Sequence, residues 1–349
     1  MQFTVDSGDS YHYLLHKQRI WTLYEEFHTM HPKTLLALAT VMAVLSLVAI
    51  QYNFFIDTGN NPFTQTGIVN TSSYYPDGPV WKNKALYYSE YSKDRVMVRD
   101  GRGNIELWNE TGCGPRSIAF FSDNLIIACR DADSLVEITT AGRVVRRITA
   151  DRSGHPLEGP IDFATDTHGG LYFATAGPEN SGRMYAGRIY YMAADGVINT
   201  TGISIQRSGG MVIIPEKKII LVSEKTENRV IQFDLVQPGV LSNRREFIRL
   251  SDITAAPDGM DTNAGPDGLA VDSAGNIFVC HPGASRILVL DQSGVLLQVI
   301  KTPLPYVTGI AFGRFDNVIY ITAVSSLSDP PFSGVVFEYT RKRTRQTAR

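Results

Sequence analysis

The chain has 349 residues, 43% of them hydrophobic and 19% charged, with a formal net charge of −2. That length suits one large domain with an appendage. Lysines and arginines are scattered rather than striped, so the charge balance makes no case for nucleic acid as a partner.

Residues 1–33 are polar and mixed in charge, with weak helical patterning around Leu14 to Phe27. Every residue from Thr34 to Ile56 is uncharged, a run of 23, and roughly 20 apolar residues suffice for a helix to cross a bilayer. Lys17, Arg19 and Lys33 precede the run and Asp57 follows it, which keeps 1–33 in the cytosol. The alternative is a long signal peptide, but no small-residue cleavage site closes the apolar run. The reading is a single-pass type II membrane protein of the secretory pathway, anchored at 34–56, with everything after Asp57 lumenal or extracellular. Residues 57–75, rich in Asn, Thr, Gly and Ser, read as a linker. Three glycosylation sequons, at Asn70, Asn109 and Asn199, agree with that side of the membrane.

From residue 76 one phrase recurs: a Gly-containing turn, a period-2 apolar run, a short reversal and a second apolar run. Gly78-Pro79-Val80-Trp81 leads to Leu86-Tyr87-Tyr88, and Gly114-Pro115-Arg116 leads through Ile118 and Phe120 to Leu125-Ile126-Ile127. Gly265-Pro266-Asp267-Gly268-Leu269-Ala270-Val271 leads through Ser273-Ala274-Gly275-Asn276 to Ile277-Phe278-Val279-Cys280. Each copy is a β-hairpin. Six copies start near residues 77, 114, 159, 208, 265 and 307, and several carry a second, more amphipathic pair, such as Arg229 to Asp234. Repeats of this length, each holding several strands, predict a β-propeller. The fold class is therefore all-β: a six-bladed β-propeller over 76–340 with an N-terminal transmembrane helix. The basic tail, 341–349, reads as a solvated end.

There are three cysteines, at 113, 129 and 280. Cys113 and Cys129 bracket one predicted hairpin, so a disulfide between them suits an oxidising compartment; the alternative is three buried thiols. No zinc spacing occurs, and no Gly-x-Ser-x-Gly elbow supports a serine nucleophile.

The opening Asp77-Gly78-Pro79-Val80-Trp81, the copy at 159–173 and above all Gly265 to Asp272 resemble the six-bladed gluconolactonase family. It includes the senescence-marker protein, fungal lactonohydrolases and the squid organophosphatase. The resemblance covers about residues 75–340. It implies one divalent cation, usually calcium, held at the channel top by four oxygen-bearing positions. Here they are Asp77, Ile161, Gly209 and Asp267. Two have lost their donor, although Asp162 stands beside Ile161 and Ser208 beside Gly209. The expectation is therefore no metal, with Asp77 and Asp267 as ligands if calcium is kept.

Residues just before an inner strand or just after its partner should surround the channel mouth. Asp77, Asp267, Arg116 and His281 are the candidate catalytic groups. Asp267 could equally be a turn residue capping its own backbone. Ile161, Asp162, Met211, Tyr185 and Thr308 are the candidate substrate wall. Glu90, Tyr91, Arg130, Glu158 and Glu224 complete the mouth, with the two strand-end glutamates, Glu90 and Glu224, read as solvated rim charges. Three functions follow. The first is a metal-independent enzyme of secondary metabolism that binds an apolar small molecule and promotes a ring-forming step, such as a hetero-Diels–Alder cycloaddition. That branch of the reading comes from related propellers in fungal pathways. The second is a calcium-dependent lactone or ester hydrolase. The third is a non-enzymatic, membrane-tethered binding propeller.

Overall fold

The computed structural model describes residues 63–177, 187–253 and 265–342. The span expected at 34–56, the wall residue Tyr185 and the tail from 343 lie outside them. Among the described residues no helix is long and apolar enough to cross a membrane.

The first strand corrects the reading of 57–75 as a linker. β1 (Phe63–Tyr74) pairs antiparallel with the last strand of the chain, Phe63 opposite Arg341 and Tyr74 opposite Ser333. It is the outermost strand of its sheet, so half of its residues are exposed and its sequence lacks the apolar alternation of a half-buried strand. Its β-branched threonines, Ile68 and Val69 still favour extended backbone. The strand closes the ring by joining the two ends of the propeller.

Six four-stranded sheets make up the described fold. The first blade comprises β2 (Pro76–Lys82), β3 (Ala85–Glu90), β4 (Arg95–Asp100) and β5 (Gly103–Asn109). The second comprises β6 (Pro115–Phe121), β7 (Asn124–Cys129), β8 (Ser134–Ile138) and β9 (Val144–Ile148). The third holds β10 (Pro160–Thr165), β11 (Leu171–Thr175), β12 (Gly187–Met192) and β13 (Ile198–Ile205). The fourth holds β14 (Ser208–Ile214), β15 (Ile219–Glu224), β16 (Arg229–Gln237) and β17 (Val240–Arg249). The fifth is β18 (Leu269–Val271), β19 (Ile277–His281), β20 (Arg286–Leu290) and β21 (Leu296–Lys301). β22 (Tyr306–Phe312), β23 (Val318–Val324) and β24 (Ser333–Arg341) take β1 as their fourth strand.

Middle strands such as β3, β11, β15 and β19 are buried along their whole length, because a blade interior packs on both faces. Their sequences accordingly read as continuous apolar runs. The core is a set of layers between neighbouring blades. Ile126, Leu135, Phe163, Phe173 and Tyr190 pack between the second and third, and Phe278, Ile287, Ile310, Ile321 and Phe337 between the fifth and sixth. Cys113 and Cys129 form a disulfide across the base of the second blade's hairpin, while Cys280 is a buried free thiol.

A second correction concerns Glu90 and Glu224, expected as solvated rim charges. Both are 0% exposed. Glu90 accepts from Arg95 Nε at 2.7 Å and from Asn70 Nδ2 at 3.3 Å, which ties β1 to the first blade. Glu224 accepts from Arg229 Nε at 2.8 Å and from the Gln206 amide at 3.0 Å. Each glutamate ends a second strand and faces the arginine that opens the third. Paired and hydrogen-bonded in this way, a buried carboxylate is tolerated.

Candidate active site in the central channel

Six inner strands, β2, β6, β10, β14, β18 and β22, pack side by side around the axis. Five of them shift register at one level: between Asp77 and Val80, Pro115 and Ile118, Pro160 and Asp162, Ser208 and Met211, and Val307 and Gly309. A bulge bends its strand and re-aims the side chains beside it, so these shifts build a ring of inward-facing residues. Glycine is required where the strands crowd together. A Cβ on Gly78, which sits at φ +49°, would stand 2.4 Å from Ser117 Cα. One on Gly268 would stand 2.7 Å from the Thr308 carbonyl oxygen. The glycines repeated along the sequence therefore serve the closeness of the ring.

The ring lines one end of a channel of about 330 Å³. Arg116, Ser117, Ile161, Asp162, Met211 and Thr308 are among its lining, and the channel runs along the inner strands to Lys82, Phe120 and Thr165. Asp77 and Arg116 form an ion pair at 2.9 Å, with side chains only 11% and 10% exposed. Asp77 also accepts from the Gly78 amide at 2.9 Å. The Arg116 guanidinium lies 4.7 Å from the centre of the Tyr75 ring and 5.5 Å from that of Tyr91. Burial works against its charge, but Tyr75, Asp77 and Asp267 outweigh that and raise its pKa. Burial pushes Asp77 upward too, against the pull of Arg116.

Asp162 is the acid of the ring. Ser117 Oγ donates to its Oδ1 at 2.6 Å and the Met211 amide donates to its Oδ2 at 2.8 Å. Its pKa stands at about 7: burial raises it, hydrogen bonds from Ser117 and from the Met211 and Phe163 amides lower it, and the charge of Asp77 raises it. A carboxyl that titrates near neutrality can both take and return a proton. Three buried polar atoms of the ring region, Arg116 Nε, Ser208 Oγ and Asp267 Oδ1, have no protein partner. Such atoms are costly to bury unpaired.

The expected residues fall into groups. Asp77, Arg116, Ile161, Asp162, Met211 and Thr308 all line the channel. The Thr308 hydroxyl turns into the wall, donating to the Pro76 carbonyl at 2.7 Å. Asp267 sits behind the lining, 1% exposed, while its neighbour Gly268 forms the wall. Arg130, Glu158 and Tyr91 line a separate cavity of about 510 Å³.

His281, expected as a catalytic group, is 3% exposed and lies outside the channel lining. It ends β19 opposite Arg286, the slot that Glu90 and Glu224 fill in their blades. Burial and the neighbouring Arg286 lower its pKa to about 4, so it is a neutral packing residue at neutral pH.

Sequence reasoning missed Lys225. Its Nζ donates to Asp267 Oδ2 at 2.6 Å. Selection by strand end picked Glu224, one residue early. The next residue, just beyond the end of β15, carries the ammonium that reaches Asp267.

The positions that would hold a divalent cation do not fit one. Ile161 offers no donor, and the place of a side chain on Gly209 is filled by Asp267, whose Oδ1 lies 2.4 Å from where a Cβ would stand. The two remaining carboxylates are taken by Arg116 and Lys225. Among the described residues no group of three His, Cys, Asp or Glu could hold a metal.

Residues 75–325 match the model of the SMP-30/gluconolactonase/LRE-like region. Pentonolactonase XacC of Haloferax volcanii is 26% identical over 275 residues, spanning 76% of this chain and 87% of that protein. The 6-deoxy-6-sulfogluconolactonase of Pseudomonas putida is 25% identical over 287 residues, spanning 77% and 92%. The solved calcium-binding protein regucalcin of Agrobacterium tumefaciens superposes with a TM-score of 0.65 at 19% identity, covering 81% of this chain and 96% of that one. At that identity the likeness speaks for the fold alone.

Proposed function

As the chain belongs to the SMP-30/gluconolactonase/LRE-like family, we propose that it is a hydrolase that opens lactones or related cyclic esters in its central channel. The observation that carries this is the placing of Asp162 and Arg116 side by side in the ring, linked through Ser117 and facing the same cavity. Asp162 takes a proton from a water as its oxygen attacks the lactone carbonyl carbon. The oxyanion that forms is met by the Arg116 guanidinium, which lines the channel. The ring C–O bond then breaks, and Asp162 returns the proton to the leaving alkoxide. Lactone and water become one hydroxy acid.

The same channel has apolar stretches, at Val80, Ile118, Phe163, Leu269 and Ile310, and these favour a substrate with an apolar face. They are the support for a ring-forming reaction. Against it stand the charged ring and the two relatives named as lactonases. An open channel also argues against the propeller as a binding platform alone. The lumenal placement stays part of the proposal, and the disulfide supports it, since such bonds persist in oxidising compartments.

The test is hydrolysis of a panel of aldonolactones, aliphatic lactones and aryl esters by the full-length protein in detergent, followed by pH-stat. Turnover of at least one lactone, with Asp162→Asn at least a hundredfold slower, is the expected result. A panel opened no faster than in buffer would overturn the reading.

A further inference from the structure

We infer that Lys225 and Arg116 replace a bound divalent cation in this propeller, so that the ring carries its positive charge on its own side chains. Four observations converge. Lys225 Nζ lies 2.6 Å from Asp267 Oδ2, with the lysine side chain 18% and the aspartate 2% exposed. Arg116 holds Asp77 in the same manner. Gly209 carries no side chain, and the space is filled by the Asp267 carboxylate itself. Ile161 then presents carbon where a hard cation needs oxygen.

These features support one another physically. Asp77 and Asp267 are both buried, and the charge of Asp267 raises the proton affinity of Asp77, so the pair requires a nearby positive charge. A divalent ion supplies it at the cost of four or more converging oxygens. An ammonium and a guanidinium supply it with one contact each, and the freed positions can become apolar or small. A methyl added at Gly209 would collide with Asp267 Oδ1 and also approach its Cα at 2.8 Å. The exchange is thus built into the backbone spacing as well as into the charges. It deepens the hydrolytic reading of this site, because the oxyanion is then met by a guanidinium alone.

The test reads cation binding and stability without any substrate, so its failure is separable from failure of the hydrolytic reading. The full-length protein is passed over chelating resin, analysed for metals, and melted in EDTA or in millimolar calcium, magnesium or manganese. The expected result is less than 0.1 metal per chain and melting temperatures within about 1 °C of one another, because a ligand that binds only the folded state must raise them. One tightly held ion per chain, or a saturable rise with any of the three cations, would overturn the inference. Lys225→Met isolates the lysine. It should lower the melting temperature, and the double variant Lys225→Met with Asp267→Asn should recover most of the loss. Equal melting of wild type and Lys225→Met would overturn the assigned role. If the single variant fails to fold, recovery of folded protein in the double variant still supports it, and a double variant no better than the single refutes it.

Discussion

Asp162→Asn should make the protein more stable and less active at once. In the fold the carboxyl titrates at about 7, against its ordinary 3.8. Between those values the folded state keeps a proton that the unfolded chain has released, so stability is lost as the pH rises through about 4 to 7. The difference between those two values corresponds to about 4 kcal/mol when the group is fully buried. Asp162 is partly exposed to the channel, and solvent there reduces the effect to about 2 kcal/mol. The asparagine is isosteric. Its carbonyl oxygen can accept from the Met211 amide while its NH₂ faces Ser117, whose hydroxyl turns to accept. The variant should therefore melt about 4 °C above wild type at pH 8 and together with it at pH 4. Thermal melting across that range, beside lactone turnover at each pH, checks both halves. Asp162→Asn less stable than wild type at pH 8 would refute the burial argument, and unchanged turnover would refute the role as base.

Arg116→Met should leave Asp77 buried without its partner and cost about 3 kcal/mol in urea unfolding at pH 8. The companion Asp77→Asn should restore part of it. Replacing Cys113 and Cys129 together by serine opens a bridge of sequence separation 16 and should lower stability by about 3 kcal/mol, matched by the effect of reductant on wild type. Among the sequons, Asn199 is exposed on β13, whereas Asn70 is partly buried and donates to the Tyr88 hydroxyl at 3.0 Å. Expressed in a secretory host, the protein should lose a glycan-dependent gel shift on Asn199→Gln and keep it on Asn70→Gln.

The repeat of glycine turn and paired apolar runs carried the fold, because a blade's inner hairpin needs close strand approach at Gly78 and Gly268 and a dry strand behind it. Asp77, Arg116, Asp162 and Met211 were legible because each lies within three residues of a glycine that opens its copy. The polar strand from Phe63 to Tyr74 was not, since an outermost strand is recognised by its partner and leaves little apolar pattern of its own. Nor was Lys225, which follows the last residue of β15 and so escapes a choice made by strand end. His281 misled for the same reason. It carries a reactive side chain, but its register position is the one that other blades use to hold an arginine.

Lactone hydrolysis by full-length protein stripped of metals tests the central claim most directly, measured from pH 5 to 9 in the presence of EDTA. The account predicts turnover that persists in chelator and falls off below a midpoint near pH 7, where Asp162 gains its proton. Turnover that vanishes in EDTA and returns with calcium, or no turnover of any lactone, would contradict it.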